Sequence, residues 1–269
     1  MRLEAFLEQA WNRYAEITPD APRIHRLLSA RGQRIVNDHV AFRTFNIPRI
    51  DRLSLGVLFE EWGYRKSPVD LDFPDKKLKA SYWIHPSADL PKIFISELLL
   101  EHFPKDLQNW VHSTVQPFMS NLERFDPKHF LRPLWSPVRW EDYQKFYPIS
   151  EYAAWTAAFG IQVNHFTVLV NALKTIPSLE ELNQLLTRDG FILNTAGGTI
   201  KGTPAELLEQ TSTQANRITW KFADGVSQSI MSCYYEFARR YPEAGSEHLF
   251  QGFIPKSADK IFESNFEKK

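Results

Sequence analysis

Residues 38–46, DHVAFRTFN, and residues 161–171, IQVNHFTVLVN, decide how this chain is read. Both are rich in Val, Phe and Thr, which favour strands, and the first stops just before Ile47-Pro48. Each carries one histidine in an otherwise apolar run, His39 and His165. The two stretches also have similar continuations. Residues 49–62, RIDRLSLGVLFEEW, return to helical spacing and end at Gly63-Tyr64. Residues 179–190, LEELNQLLTRDG, end at Gly190-Phe191. A glycine after the last periodic residue is a helix-stop signal. It falls 24 residues after His39 and 25 after His165. Three strand-like runs come next in each half, near 65–72, 79–85 and 92–100, then near 191–200, 216–222 and 228–238. The order βαβββ occurs twice, so the spacing predicts an α+β fold built from two repeated modules.

Outside the modules the pattern is helical. Leu3, Phe6, Leu7, Ala10 and Tyr14 predict a helix over 3–16, and a second helix is expected over 22–30. Residues 103–160 are aromatic and helical, with prolines at 104, 117, 127, 133, 137 and 148, and read as a connecting layer. The expected organisation is a single metalloenzyme domain over 1–269. It has N-terminal helices to 35, module one over 36–102, the connector over 103–160, module two over 161–240 and a closing segment over 241–269.

Composition narrows the function. Thirty-two basic residues balance 32 acidic ones, which argues against a general nucleic-acid binder. Glycine is scarce, at 11 residues, which argues against a glycine-built phosphate cradle. The one cysteine, Cys233, excludes an internal disulfide or a thiolate cluster and is expected to be core packing. No apolar run approaches a membrane span, and the N-terminus lacks a secretory pattern, so a cytoplasmic location is expected.

Side chains alternate across a strand. His39 shares a face with Ala41, Arg43 and Phe45, and His165 with Val163, Thr167, Leu169 and Asn171. Along 229–237, Ser232, Tyr234 and Glu236 share a face. A buried ionisable group is costly unless paired or metal-bound. Two histidines and one carboxylate match the facial triad of non-haem Fe(II) oxygenases, with three coordination positions open. Glu236 and Glu97 compete for the carboxylate role, each on the last strand of its half; Glu101, His85 and His102 are weaker contenders. Arg43, on the face of His39, suits a carboxylate clamp, and its guanidinium is expected to lean into the metal's cavity.

Five segments then carry a resemblance: HVAFRTF (39–45), VNHFTVLVN (163–171), GTPAELLEQTSTQA (202–215), YYEFARR (234–240) and GFIPKSADKIFES (252–264). Together they resemble the 2-oxoadipate dioxygenase/decarboxylase family, over about residues 36–264. The resemblance implies a fold related to the vicinal-oxygen-chelate enzymes, with a half-barrel site between the two modules. It implies Fe(II), with Mn, Ni or Zn as substitutes in purified protein, held by two His and one Glu. His39 matches the histidine of H-x-A-F-R, Arg43 its substrate-binding arginine, His165 the histidine of N-H-F and Glu236 the glutamate of Y-E-F. This favours Glu236 over Glu97 by analogy. The implied reaction takes 2-oxoadipate and dioxygen to 2-hydroxyglutarate and CO2. Two rivals remain: another metal-dependent hydrolase, lyase or isomerase on the same scaffold, and a non-catalytic binder of small carboxylates. The chain is shorter than typical members and carries Thr211 where the family pattern has serine. Ser257 and Lys260 lie in the matching C-terminal segment without an assigned role.

Overall fold

A computed structural model describes residues 1–265 apart from 124 and 137; the expected closing segment therefore extends, at 266–269, outside the described residues. The elements in chain order are α1 (Leu3–Ile17), α2 (Asp20–Ser29), β1 (Asn37–Phe45), α3 (Arg52–Glu60), β2 (Arg65–Lys66), β3 (Leu71–Phe73), β4 (Leu78–Ile84) and β5 (Lys92–Leu98). Helices α4 (Lys105–Ser120), α5 (Trp140–Phe146) and α6 (Glu151–Phe159) come next. The second half contains β6 (Val163–Leu169), α7 (Leu179–Arg188), β7 (Lys201–Thr203), β8 (Leu208–Ser212), β9 (Arg217–Lys221), β10 (Ser227–Met231), β11 (Glu236–Arg240) and α8 (Pro255–Phe262).

The two modules form one sheet in the order β2-β4-β5-β1-β6-β11-β8-β7, with β3 also on β4. Strands β1 and β6 meet antiparallel at its centre, with His39 opposite Thr167 and Ala41 opposite His165. That reciprocal register is a local two-fold axis, and adding 126 to a β1 residue number gives its β6 mate. The flanks obey it. Strand β5 runs parallel to β1 and β11 parallel to β6. Phe94 faces Ala41 as Glu236 faces Thr167. The short connections match as well. Lys77 (φ 55°) after Pro74 joins β3 to β4, and Leu207 (φ 63°) after Pro204 joins β7 to β8.

Local chemistry sets the boundaries. Helix α3 begins at Arg52 rather than near 49, because Asp51 caps it by accepting from the Leu53 and Ser54 amides, while Arg49 is left-handed (φ 75°). Gly63 (φ 89°) and Gly190 (φ 85°) end α3 and α7, and each passes the chain to a buried aromatic, Tyr64 or Phe191. Glycine reaches that conformation without a Cβ penalty.

Three strand expectations in the second module need correction. Residues 191–200 are irregular apart from one bridge, Leu193 to Thr213; the sheet strands are β7 and β8 instead. The run near 216–222 is β9, paired only with β10 as a separate hairpin. Its Ile218 and Trp220, with Ile230 of β10, pack on the core as a separate layer, Trp220 against Phe159 of α6, instead of extending the main sheet. The run 228–238 is broken at 232–235. There the Ser232 carbonyl is taken by Trp155 Nε1 (2.7 Å) and Asn265 Nδ2 (2.6 Å), which replace a strand partner. Module two is thus β6-α7-β7-β8-β11 with a hairpin inserted.

The sheet's two faces differ. On one, α1 packs aromatic side chains against it, Phe6 against Phe42 and Tyr14 against Phe166. The other carries His39, His165 and Glu236, and α8 crosses it against β3, β7 and β8. Among the described residues no helix is long and apolar enough to cross a membrane.

Candidate metal centre

The two-fold axis places His39 and His165 as mates on the central strands. Glu236, at the start of β11, joins them; ligand atoms of all three lie within 4.8 Å of one another. Glu236 Oε2 is 3.2 Å from His165 Nε2, and Oε1 is 3.6 Å from His39 Nε2. All three are buried, at 2%, 4% and 1% exposure. The mate of Glu236 is Phe94, so the carboxylate is supplied by one module only.

The far side of each imidazole is fixed by the preceding residue. Asp38 Oδ1 lies 2.8 Å from His39 Nδ1, and Asn164 Oδ1 lies 3.1 Å from His165 Nδ1. These oxygens require a proton on Nδ1, which leaves each Nε2 a lone pair; that of His39 accepts from the Thr167 hydroxyl at 3.0 Å, a bond a metal would replace. Metal-bound histidines are normally supported in this way. Asp38 is itself clamped by Arg240, with Nε to Oδ2 at 2.5 Å and Nη2 to Oδ1 at 2.8 Å, and Lys92 Nζ stands 3.7 Å away. Burial raises the Asp38 carboxyl, but Arg240 and Lys92 outweigh it and hold it well below its ordinary range.

At the centre the balance is opposite. Burial pushes Glu236 up to about 8, even though Gln210 Nε2 donates to it at 2.5 Å. Burial also holds His39 low, and burial with the neighbouring His39 and Arg43 holds His165 far below its usual value. A carboxyl group whose ionised form burial disfavours and two neutral imidazoles therefore converge with no cation among them. Gln210 Oε1, buried beside them, has no hydrogen-bond partner. A divalent ion with bound water satisfies this set, and the donors fit one. The cavity between them is about 20 Å³, room for an ion or a single water, and Phe94, Phe253, Ile261 and Phe262 help wall it.

Arg43 lies elsewhere than expected. Its guanidinium opens not on the metal cavity but on a neighbouring one of about 260 Å³, lined also by Lys76, Phe103 and Glu151; Phe262 borders both. Glu151 on α6 draws it there, at 2.9 Å from Nη1, and Asn265 Oδ1 accepts from Nη2 at 3.0 Å. The guanidinium lies over the Tyr152 and Trp155 rings, at 4.7 and 5.1 Å. Asn265 Oδ1 also accepts from Asn164 Nδ2 at 3.3 Å, so one hydrogen-bond chain links Arg43 to His165.

The other contenders are apart from the centre. Glu97 accepts from the Arg52 amide at 2.8 Å and pairs with its guanidinium. Glu101 accepts from Asn46 Nδ2. His85 caps the Ser87 amide, and the His102 carbonyl accepts from Lys77. Cys233 is buried, its thiol pushed up to about 12 by burial. Ser257 is buried on α8, and Lys260 pairs with Glu263. The sequence reading missed Asp38, Asn164, Gln210, Glu151 and Asn265. The first two had a signal, since an Asx residue precedes each histidine at positions related by the repeat.

The family described as 2-oxoadipate dioxygenase/decarboxylase matches residues 7–247. The Arabidopsis thaliana protein named 2-oxoadipate dioxygenase/decarboxylase, chloroplastic, is 36% identical over 265 residues, covering 90% of this chain and 71% of the relative. A crystal structure of the Oryza sativa hydroxyglutarate synthase in complex with 2-oxoadipate superposes with a TM-score of 0.88 at 32% identity, covering 97% of this chain and 91% of that one. A protein from Ralstonia eutropha assigned to the glyoxalase superfamily superposes at 0.74 and 18% identity, over 93% and 84% of the two chains. That likeness establishes the fold: paired βαβββ modules of the vicinal-oxygen-chelate kind.

Proposed function

The chain belongs to the 2-oxoadipate dioxygenase/decarboxylase family, a family of enzymes, and on that premise we propose that it is an Fe(II)-dependent dioxygenase acting on a 2-oxo acid. The leading reaction is 2-oxoadipate and dioxygen to 2-hydroxyglutarate and CO2. The observation that carries this reading is the buried convergence of His39, His165 and Glu236 within 4.8 Å. Its rice relative, a hydroxyglutarate synthase, forms a complex with 2-oxoadipate.

Bound there, the metal would supply Lewis-acidic, redox-active chemistry toward the substrate and dioxygen. The protein's part is positioning. His39, His165 and Glu236 would hold the ion. Asp38 and Asn164 keep the Nδ1 protons in place, so that both Nε2 atoms carry a lone pair for the ion once it displaces the Thr167 hydroxyl from His39. Arg43 orients a substrate carboxylate, its own charge balanced by Glu151. Phe94, Phe253 and Phe262 exclude water from the reacting atoms. A 2-oxo acid exceeds 20 Å³, so its binding displaces the Phe262 wall and joins the two cavities.

The test is metal analysis of anaerobically purified protein with an oxygen-uptake screen of 2-oxo acids. Iron at one per chain and stoichiometric oxygen use with 2-oxoadipate support the reading. Turnover without oxygen would assign hydrolase, lyase or isomerase chemistry to the scaffold. Binding without turnover would leave a carboxylate-binding protein.

A further inference from the structure

We propose that Tyr234 is a substrate-contacting residue: its hydroxyl and Arg43 Nε form the donor pair that receives a carboxylate of the 2-oxo acid. The inference rests on the function proposed above and adds a residue to it.

Both atoms are buried and without a hydrogen-bond partner. Tyr234 is 0% exposed and Arg43 1%. Buried tyrosine hydroxyls ordinarily find a partner, because a stranded one loses its bonds to water without replacement. Others here do: Tyr14 donates to the Tyr234 carbonyl at 2.6 Å, Tyr64 to the Pro91 carbonyl at 2.9 Å and Tyr152 to the Ser96 carbonyl at 2.6 Å. Tyr234 is held in place all the same. Its ring stacks on the His165 imidazole, centroids 4.6 Å apart and 23° from parallel, and packs with Ile261 of the metal-cavity wall. Asn265 Oδ1 accepts from both Arg43 Nη2 and Asn164 Nδ2, and Asn265 Nδ2 donates to the Ser232 carbonyl two residues before Tyr234. Tyr234 therefore stands beside the candidate metal ligand, and Asn265 joins its segment to Arg43.

The guanidinium is only partly used. Glu151 and Asn265 take one N–H each of its five, and Nε–H is unmatched. Two stranded donors, one cationic, beside a metal centre call for an anionic acceptor. A carboxylate has the charge and the lone pairs to accept from both.

Tyr235 supplies the internal control. Its hydroxyl is also buried and unpartnered, but its ring lies among Trp11, Tyr14 and Phe237, and no charged neighbour perturbs it. A stranded hydroxyl does not by itself mark a ligand contact; the place of Tyr234 beside charged groups and a metal ligand does.

The experiment compares Tyr234→Phe with Tyr235→Phe in the zinc-loaded full chain. It measures 2-oxoadipate binding by calorimetry, zinc affinity by titration of the apoprotein and the melting temperature without ligand. It adds kcat and KM for the iron-loaded enzymes. Loss of one hydrogen bond to a charged group weakens binding roughly 10- to 150-fold. The expected result is that loss in Tyr234→Phe, appearing in KM, with zinc affinity and melting temperature preserved or raised. Tyr235→Phe should bind like the wild type. Binding by Tyr234→Phe within twofold of wild type would overturn the proposal, as would an equal loss in Tyr235→Phe. A lowered melting temperature in Tyr234→Phe would make the hydroxyl structural and also overturn it. A wild type that binds no 2-oxoadipate overturns the underlying functional reading, and the carboxylate contact with it.

Discussion

Replacing Asp38 by Asn tests the support behind the metal centre. Asp38 is the only acidic group in contact with Arg240 among the described residues, and both side chains are 1% exposed. The substitution keeps the shape and leaves one oxygen to face either His39 Nδ1 or Arg240. The guanidinium keeps its bonds to the Phe250 and Gly252 carbonyls, at 2.9 and 2.8 Å, but loses its counter-charge. Removing one partner of a buried ion pair costs about 3–5 kcal/mol. At roughly 2–4 °C per kcal/mol for a chain of this size, the apoprotein should melt about 6–20 °C lower. The second effect is on the metal. His39 loses the carboxylate that fixes its tautomer and strengthens it as a donor, a change worth about 10- to 100-fold in affinity. Differential scanning calorimetry of the apoprotein and competitive metal titration read the two effects separately. Asn164→Asp probes the mate position, where an amide stands naturally. An Asp38→Asn protein with wild-type metal affinity would refute the claim that Asp38 sets the donor strength of His39.

Arg43→Lys should retain metal and lose about thirty- to a thousand-fold in kcat/KM, the 2–4 kcal/mol of one charge-assisted pair; full activity in a steady-state assay would remove Arg43 from the substrate site. Glu97→Gln should leave metal content unchanged in elemental analysis and lower the melting temperature, because Glu97 serves Arg52 and not the ion. Stripping the metal with a chelator should destabilise the protein by about 2.7 kcal/mol if it had been held at a hundred times its dissociation constant, and excess metal should restore the loss in a thermal-shift assay. An unchanged melting temperature after chelation would mean that no ion had occupied the buried centre.

Local signals along the chain suffice for the modules and the ligand candidates. Strand alternation puts His39 and His165 on inward faces, and the glycine stops at Gly63 and Gly190 mark equivalent helix ends. A period of two or 3.6 residues and a left-handed glycine act within one element, so they are legible without the fold. The second module's strands are harder to read, because 217–231 has strand-like composition and core-packed residues such as Ile218, Trp220 and Ile230 but pairs only with itself. Choosing between Glu236 and Glu97 takes the folded sheet. Both lie on the last strand of a module, but their registers differ: Glu97 faces Thr44, and the mate of Glu236 is Phe94. The fold also moves Arg43 into the neighbouring cavity, because its partners, Glu151 and Asn265, are 108 and 222 residues away. It joins Asp38 to Arg240 across 202 residues. Burial makes such groups pair wherever the chain brings them together, and no spacing along the sequence encodes which ones will meet.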